Sequence, residues 1–178
     1  SNQCRVYYNY GSTKIHNGII YAPSYYDRKI RMIRESDGVC LGSININQNI
    51  RALDIHTISG TAHLFAFHNG GIYTRNLSNN ASRTCSHGNN VYLRYMFAAA
   101  ASGNYFYTYY GNYISRFNLV ANGSSNYCPR PTGYMRIRAN LGSVYGMTSH
   151  PSNLGELYIL SYSYSKLYKY TIGLNGVS

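Results

Sequence analysis

The four cysteines set the first constraint on what this chain can become. Cys4, Cys40, Cys85 and Cys128 lie 36, 45 and 43 residues apart, with 50 residues after the last. A regular interval in the range of roughly 20–50 residues marks a repeated supersecondary unit. The text between the cysteines repeats as well. KIRMIRESDGVC from Lys29, GIYTRNLSNNASRTC from Gly71 and NYISRFNLVANGSSNYC from Asn112 each read as a strand, a polar turn-rich loop and a cysteine. KLYKYTIGLNGVS from Lys166 has the same shape without the cysteine. Joined to the N-terminal SNQC it becomes TIGLNGVSSNQC, which restores both loop and cysteine.

Two further strands precede each of these. One is a tyrosine-rich hydrophobic run: GIIYAPSYY from Gly18, AHLFAFHN from Ala62, NYFYTYYG from Asn104 and ELYILSYS from Glu156. Ahead of it lie smaller residues: RALDIHTISG from Arg51, YMFAAAASG from Tyr95, YGMTSHPSNLG from Tyr145, and a short counterpart near STKIHN from Ser12. Each cysteine is read as opening a fourth strand, as in CRVYYNY from Cys4 and CLGSINI from Cys40. Gly, Asn and Ser punctuate the joins, the strands are rich in Tyr, Ile, Phe and Val, and no segment shows helical periodicity. Four units of four short strands predict an all-β chain, a single four-bladed β-propeller over 1–178 with repeats near 4–39, 40–84, 85–127 and 128–178. The N-terminal strand Cys4–Tyr10 is expected to complete the last blade and close the ring, which would remove an exposed edge. A β-sandwich with accidental spacing, and half of a larger ring completed by a second copy, are the competing readings. In architecture the chain resembles the hemopexin-type four-bladed domain, and GNYFYTYYGNYISRF from Gly103 is similar to that family's aromatic blade core. The chain departs from that family in having no Trp and one cysteine per unit, so the resemblance implies an architecture and no functional residue.

Composition narrows the function classes. A hydrophobic content of 44% excludes a disordered chain, and no apolar run approaches the length of a membrane span. No basic segment followed by an apolar stretch opens the sequence, so a secreted form is expected to have already lost its leader. The acids are Asp27, Glu35, Asp37, Asp54 and Glu156, with no paired-carboxylate, nucleophile or phosphate-loop signature, and the chain is read as a non-enzyme without a cofactor. Asp54 and His56, with His150 at the equivalent place in another unit, form a candidate metal set facing the channel; the competing reading is structural.

The cysteines leave alternatives open. On outermost strands, neighbouring units would hold them about 20 Å apart, beyond the roughly 7 Å limit for pairing, and leave them buried or bonded to another chain. On innermost strands they would converge and pair or hold zinc. Sequons at Asn76, Asn80 and Asn122 and the even cysteine count favour secretion.

Sixteen Lys and Arg against five acids give a net charge of +11. Arg75, Arg116 and Lys169 recur in the third strands, with Tyr73 and Tyr168 beside two of them, and Arg136 and Arg138 share one strand face. Cations and tyrosines repeated around a ring predict a secreted, lectin-like module for acidic glycans or another acidic extracellular partner. No nucleic-acid module is recognisable, and nucleic acid is set aside. The rival class is a structural protein that self-associates into a matrix, coat or fibre.

Overall fold

The computed structural model describes residues 4–9, 12–68, 71–96, 98–123 and 125–173. The chain forms four antiparallel sheets in sequence order, a four-bladed β-propeller. The first blade comprises β1 (Lys14–His16), β2 (Ile19–Ser24), β3 (Lys29–Arg34) and β4 (Cys40–Asn45). The second comprises β5 (Ile50–Ile58), β6 (Thr61–His68), β7 (Gly71–Asn76) and β8 (Ser82–Cys85). A single turn of helix, α1 (Val91–Arg94), leads into the third blade. That blade has β9 (Ala98–Ser102), β10 (Tyr105–Tyr110) and β11 (Tyr113–Ala121), and its outer strand is split into β12 (Tyr127–Pro129) and β13 (Met135–Arg138). The fourth blade is β14 (Val144–Ser149), β15 (Glu156–Ser161) and β16 (Lys166–Thr171).

Alternation along the strands sorts side chains onto the two faces of each blade, and the apolar faces meet between blades. Blades 1 and 2 bury Tyr21, Ile30, Leu53 and Leu64; blades 2 and 3 bury Phe65, Phe67, Phe106 and Phe117; blades 3 and 4 bury Tyr107, Tyr109, Leu157 and Ile159. Phe67 stacks on Phe106 across the second junction at 4.7 Å. Each such ring contributes about 2–3 kcal/mol by leaving water. The Ala98–Ala101 run does form a strand, innermost in its blade, where small side chains let β9 approach both β5 and β14.

The remaining junction, between blades 4 and 1, is different. No apolar cluster spans it among the described residues. It encloses a cavity of about 200 Å³ lined by Lys14, Leu53, Met147, Tyr158, Leu160 and Leu167 among others. Its link is polar: Lys14 Nζ lies 3.2 Å from Thr148 Oγ1 and 3.2 Å from Asp54 Oδ1. Asp54 Oδ2 in turn accepts from the Ala101 amide at 2.7 Å. One ammonium and one carboxylate therefore tie together β1, β5, β9 and β14, the innermost strands of all four blades.

The N-terminal segment corrects one expectation. Cys4–Asn9 is not a strand and does not pair with β16. It lies against blade 1, where Tyr25 N donates to Tyr8 O, Tyr7 N donates to Ser24 Oγ, and Cys4 is disulfide-bonded to Cys40. Tyr10 lies outside the described residues. The edge of β16 is left without a neighbouring strand among them.

The cysteines also differ from both expectations. They neither stand apart nor meet on the axis, but form two disulfides within the chain, Cys4–Cys40 and Cys85–Cys128, with Cα–Cα distances of 5.1 and 5.7 Å. Cys85 closes β8 instead of opening a strand. Cys128 reaches it because β12 pairs with the far end of the long β11, and the loop before β12 leans over blade 2. There Ser125 O accepts from Asn76 Nδ2 at 3.1 Å and Ser125 Oγ accepts from Asn79 Nδ2 at 3.2 Å. All four cysteines being paired, none serves as an interchain thiol.

Candidate functional site

The side chains singled out by sequence do not form one repeated surface. Arg75 is half-buried and donates to Asn80 Oδ1 at 2.9 Å; it pairs with Leu64 across the hairpin and faces blade 1, as does its half-buried neighbour Tyr73. Arg116 is 9% exposed and serves the core. It donates to Gly173 O at 2.7 Å and lies 4.5 Å over the Tyr105 ring. Lys169 forms an ion pair with Glu156 at 3.0 Å, while Tyr168 packs on the cluster between blades 3 and 4. Glu156 also accepts from Tyr158 OH, and these partners hold its carboxyl down to about 2.

Arg136 and Arg138, in contrast, enter a larger cluster. The Asn90 side chain caps α1 by accepting from Tyr92 N at 2.9 Å and Leu93 N at 3.3 Å, and its amide donates to Pro131 O at 3.0 Å. Leu93 is fully buried, which pins the turn and leaves Tyr92, Arg94 and Tyr95 facing outward. β13 runs along the start of β11, setting Arg136 opposite Ser115 and Arg138 opposite Tyr113. Arg136 Nη1 donates to Tyr92 OH at 2.6 Å, and its guanidinium lies 5.2 Å from the Tyr92 ring and 5.3 Å from the Tyr113 ring. The Tyr92 hydroxyl holds the Arg136 pKa above its ordinary value. Tyr92 also meets Tyr110 and Tyr134, Tyr95 meets Tyr110, and Arg94 lies 5.2 Å over Tyr95. Tyr134 is anchored by stacking on buried Phe117 at 5.1 Å.

The result is five tyrosine rings and three arginines on the perimeter of blade 3. The surrounding sequence sharpens its charge. From Ile55 to Gly155 the chain has seven arginines (Arg75, Arg83, Arg94, Arg116, Arg130, Arg136 and Arg138) and no Asp or Glu. Among the described residues, four of the five acids are ion-paired: Asp27 with Arg31, Asp37 with Arg34, Asp54 with Lys14 and Glu156 with Lys169. The guanidiniums of Arg94, Arg136 and Arg138 have no neighbouring carboxylate in sequence to neutralise them. Planar guanidinium groups beside flat aromatic surface suit carboxylate and sulfate oxygens carried on a ring.

The structure does bring Asp54, His56 and His150 to one cavity of about 420 Å³ at the channel mouth, together with Lys14, Ser102, Thr148 and Ser149. The Asp54 carboxylate and one ring nitrogen of each histidine are already engaged. Asp54 serves Lys14 and the Ala101 amide, and His56 Nε2 lies 2.8 Å from Gly103 O. His150 Nδ1 accepts from Ser152 N and Asn153 N. No three His, Cys, Asp or Glu side chains are placed to share a metal among the described residues.

Of the sequons, Asn80 is exposed, whereas Asn76 is 6% exposed with its amide spent on Ser125 O. A glycan on Asn76 would displace that contact. Asn122 is half-buried and donates to Cys128 Sγ at 3.1 Å, and its third sequon residue lies outside the described residues.

Among the described residues no helix is long and apolar enough to cross a membrane. No protein-family model matches the chain, and no curated protein matches it. Solved structures do. The β-propeller domain of Cps50 (Swd1) from Myceliophteria thermophila is similar at 13% identity with a TM-score of 0.53, over 88% of this chain and 51% of that one. The BBS1N chain, solved in complex with ARL6DN, is similar at 6% identity with a TM-score of 0.51, over 88% of this chain and 48% of that one. The chain thus spans about half the length of these structures, and what it shares with them is the β-propeller fold.

Proposed function

We propose that this protein is a secreted, non-enzymatic binding module for acidic glycans, and that the Tyr/Arg cluster on blade 3 is its contact surface. The observation that carries the reading is Arg136 held between Tyr92 and Tyr113, with Arg94 and Arg138 beside it, in a stretch of chain without a single acid. Sulfated or sialylated chains offer the complementary anions, and tyrosine rings suit the apolar faces of their sugars. Two disulfides support an oxidising compartment. The test is a glycan array spanning heparin-like and sialylated chains, read at physiological salt and at about 0.5 M salt, where screening shortens to a few ångströms. Binding to acidic chains that weakens with salt and with Arg136→Ala supports the reading. Absence of binding at either salt, or binding indifferent to Arg136→Ala, refutes it.

A second reading, self-assembly into a matrix or coat, is favoured by blade 4. Among the described residues the edge of β16 has no neighbouring strand and is a template for another, and Leu160 and Leu167 beside it are 45% and 65% exposed. Light scattering across concentration tests it: growth that Leu167→Pro abolishes, the Leu167 N–H being one that faces the free edge, supports assembly through this edge, and a constant monomer mass rejects it.

A further inference from the structure

The hairpin that carries two tyrosines of the arginine cluster also borders a cavity on its other side. Gly111 and Asn112 form the two-residue turn between β10 and β11, with φ of 58° and 64°, the left-handed conformation that a tight hairpin requires. Tyr110 and Tyr113 flank the turn, pair with each other and meet Tyr92 on the blade 2 side of the sheet. Tyr109, one residue earlier, points the other way and is buried between blades 3 and 4. There Tyr109, Gly111, Asn112, Gly142, Ser143 and Val144 line a cleft of about 290 Å³.

The walls of this cleft are held from within. The Tyr109 hydroxyl accepts from Leu141 N at 3.2 Å and lies 3.1 Å from Gly142 O. Ser143 N donates to Ser163 Oγ at 2.9 Å, and Ser143 O accepts from Tyr162 N at 2.8 Å. The loop before β14 is thereby tied to the β15–β16 hairpin, whose Tyr164 ring comes within 3.6 Å of the Cβ position of Gly142. Gly111, Asn112, Ser143 and Tyr164 are all exposed, so these residues meet solvent at the mouth. An amide, a hydroxyl and a flat ring are groups that hydrogen-bond to a sugar and cover its apolar face.

A cation stands beyond the cleft. Val144, Ser161 and Lys166 pair in a row across blade 4. The row faces blade 3, because Val144 packs on the cluster there and Ser161 Oγ donates to Leu141 O at 2.6 Å. Two strand spacings of about 4.8 Å put Lys166 about 10 Å from the cleft wall. Lys166 is exposed and has no ion-pair partner among the described residues. Arginines on one side of the cleft and a lysine on the other match anions repeated along one chain. Given the acidic-glycan reading, on which this depends, we infer that the ligand is a sulfated oligosaccharide that runs from Arg136 and Arg138 over the Gly111–Asn112 turn, lays a sugar ring in the cleft and sets a further anionic group at Lys166. A Cβ at Gly111 would meet nothing within 4 Å, so no part of the protein overhangs the crossing. A glycan with one terminal sialic acid engages only one of the two cationic ends.

The experiment is a calorimetric titration of the full chain with a heparin disaccharide, a heparin hexasaccharide and sialyllactose across a range of salt. The hexasaccharide is expected to bind at least tenfold more tightly than either of the others at physiological salt. Lys166→Ala should remove most of that gain and lower the hexasaccharide's slope of log affinity against log salt by about 0.7–0.9, leaving the disaccharide unchanged. Asn112→Gly, which keeps the backbone of the turn, and Tyr164→Ala should each weaken the hexasaccharide several-fold without changing that slope. Two results overturn the inference and leave the arginine surface standing. One is a disaccharide or sialyllactose that binds as tightly as the hexasaccharide. The other is hexasaccharide affinity and slope unchanged by Lys166→Ala while Arg136→Ala still weakens binding. No binding of any of the three overturns both the inference and the acidic-glycan reading.

Discussion

Replacing Asp54 by alanine should loosen the whole ring from its centre. The carboxylate is 6% exposed in its side chain and accepts from Ala101 N at 2.7 Å, Ile55 N at 2.9 Å and Lys14 Nζ at 3.2 Å. Its removal strands the Ala101 amide in the core, which costs about 1–3 kcal/mol. Lys14 is 24% exposed and borders the channel-mouth cavity, so its ammonium can rehydrate and adds only about 1 kcal/mol. The sum is about 2–4 kcal/mol, which for a chain of this length lowers Tm by roughly 5–15 °C. Denaturant unfolding measures the first quantity, and hydrogen exchange at the Ala101 amide reports whether the loss begins at the hub. Asp54→Asn, which keeps an acceptor for Ala101 N, should cost less than Asp54→Ala. A variant Asp54→Ala within about 0.5 kcal/mol of the parent, with the Ala101 amide still protected, would show that the four inner strands do not depend on this carboxylate.

Three further outcomes are expected. Mild reduction followed by alkylation and mass spectrometry should open Cys4–Cys40 before Cys85–Cys128, because the former cysteines are half-buried whereas Cys85 and Cys128 are 2% and 6% exposed. Loss of Cys85–Cys128, which closes a loop of 43 residues, should cost up to about 4 kcal/mol. Acid should act in two windows, read from stability against pH. His63 and His68 have pKa values lowered by burial, so the unfolded chain binds more protons and stability falls as pH drops below about 6.5. Glu156 is held at about 2, so its contribution is present above the ordinary carboxylate range and is lost as pH falls from there through about 2; Glu156→Gln should flatten that lower limb. Finally, Gly155→Ala should destabilise by more than Gly60→Ala. Both have positive φ, 76° and 78°, but a Cβ at Gly155 would lie 2.2 Å from Ile172 O while Gly60 faces open space. The second should cost about 1–2 kcal/mol and the first clearly more, measured by denaturant unfolding.

Strand placement was readable because alternation and turn residues are local signals. The segments from Gly18, Ala62, Asn104 and Glu156 became β2, β6, β10 and β15, and the cysteine interval announced the blades. Cys4–Tyr10 misled because its alternation matches an outer strand, while which edge it joins depends on distant partners. The Cys4–Cys40 bond and the amides of Tyr25 and Tyr26 hold it at blade 1. Helix α1 has four residues, too few for a periodic pattern to appear. The cation repeat failed by one residue. Arg75 lies four positions after Gly71 and pairs with Leu64, whereas Arg116 lies three after Tyr113 and pairs with Tyr107. A shift of one residue turns a side chain to the other face of its blade, so matching sequence positions did not mean matching surfaces. Tyr92, Arg94, Tyr95, Tyr110, Tyr113 and Tyr134 were missed because three separate segments converge on them. The acid-free stretch from Ile55 to Gly155 was the available signal.

The most direct test of the binding account is the salt dependence of affinity for a heparin oligosaccharide, compared between the parent and an Arg94→Ala, Arg136→Ala, Arg138→Ala triple variant. Each cation that neutralises an anionic group contributes about 0.7–0.9 to the slope of log affinity against log salt. The account predicts that the triple variant binds more weakly at physiological salt and that its slope is shallower by about 2–3. A parent that does not bind, or a triple variant with unchanged affinity and slope, would contradict it.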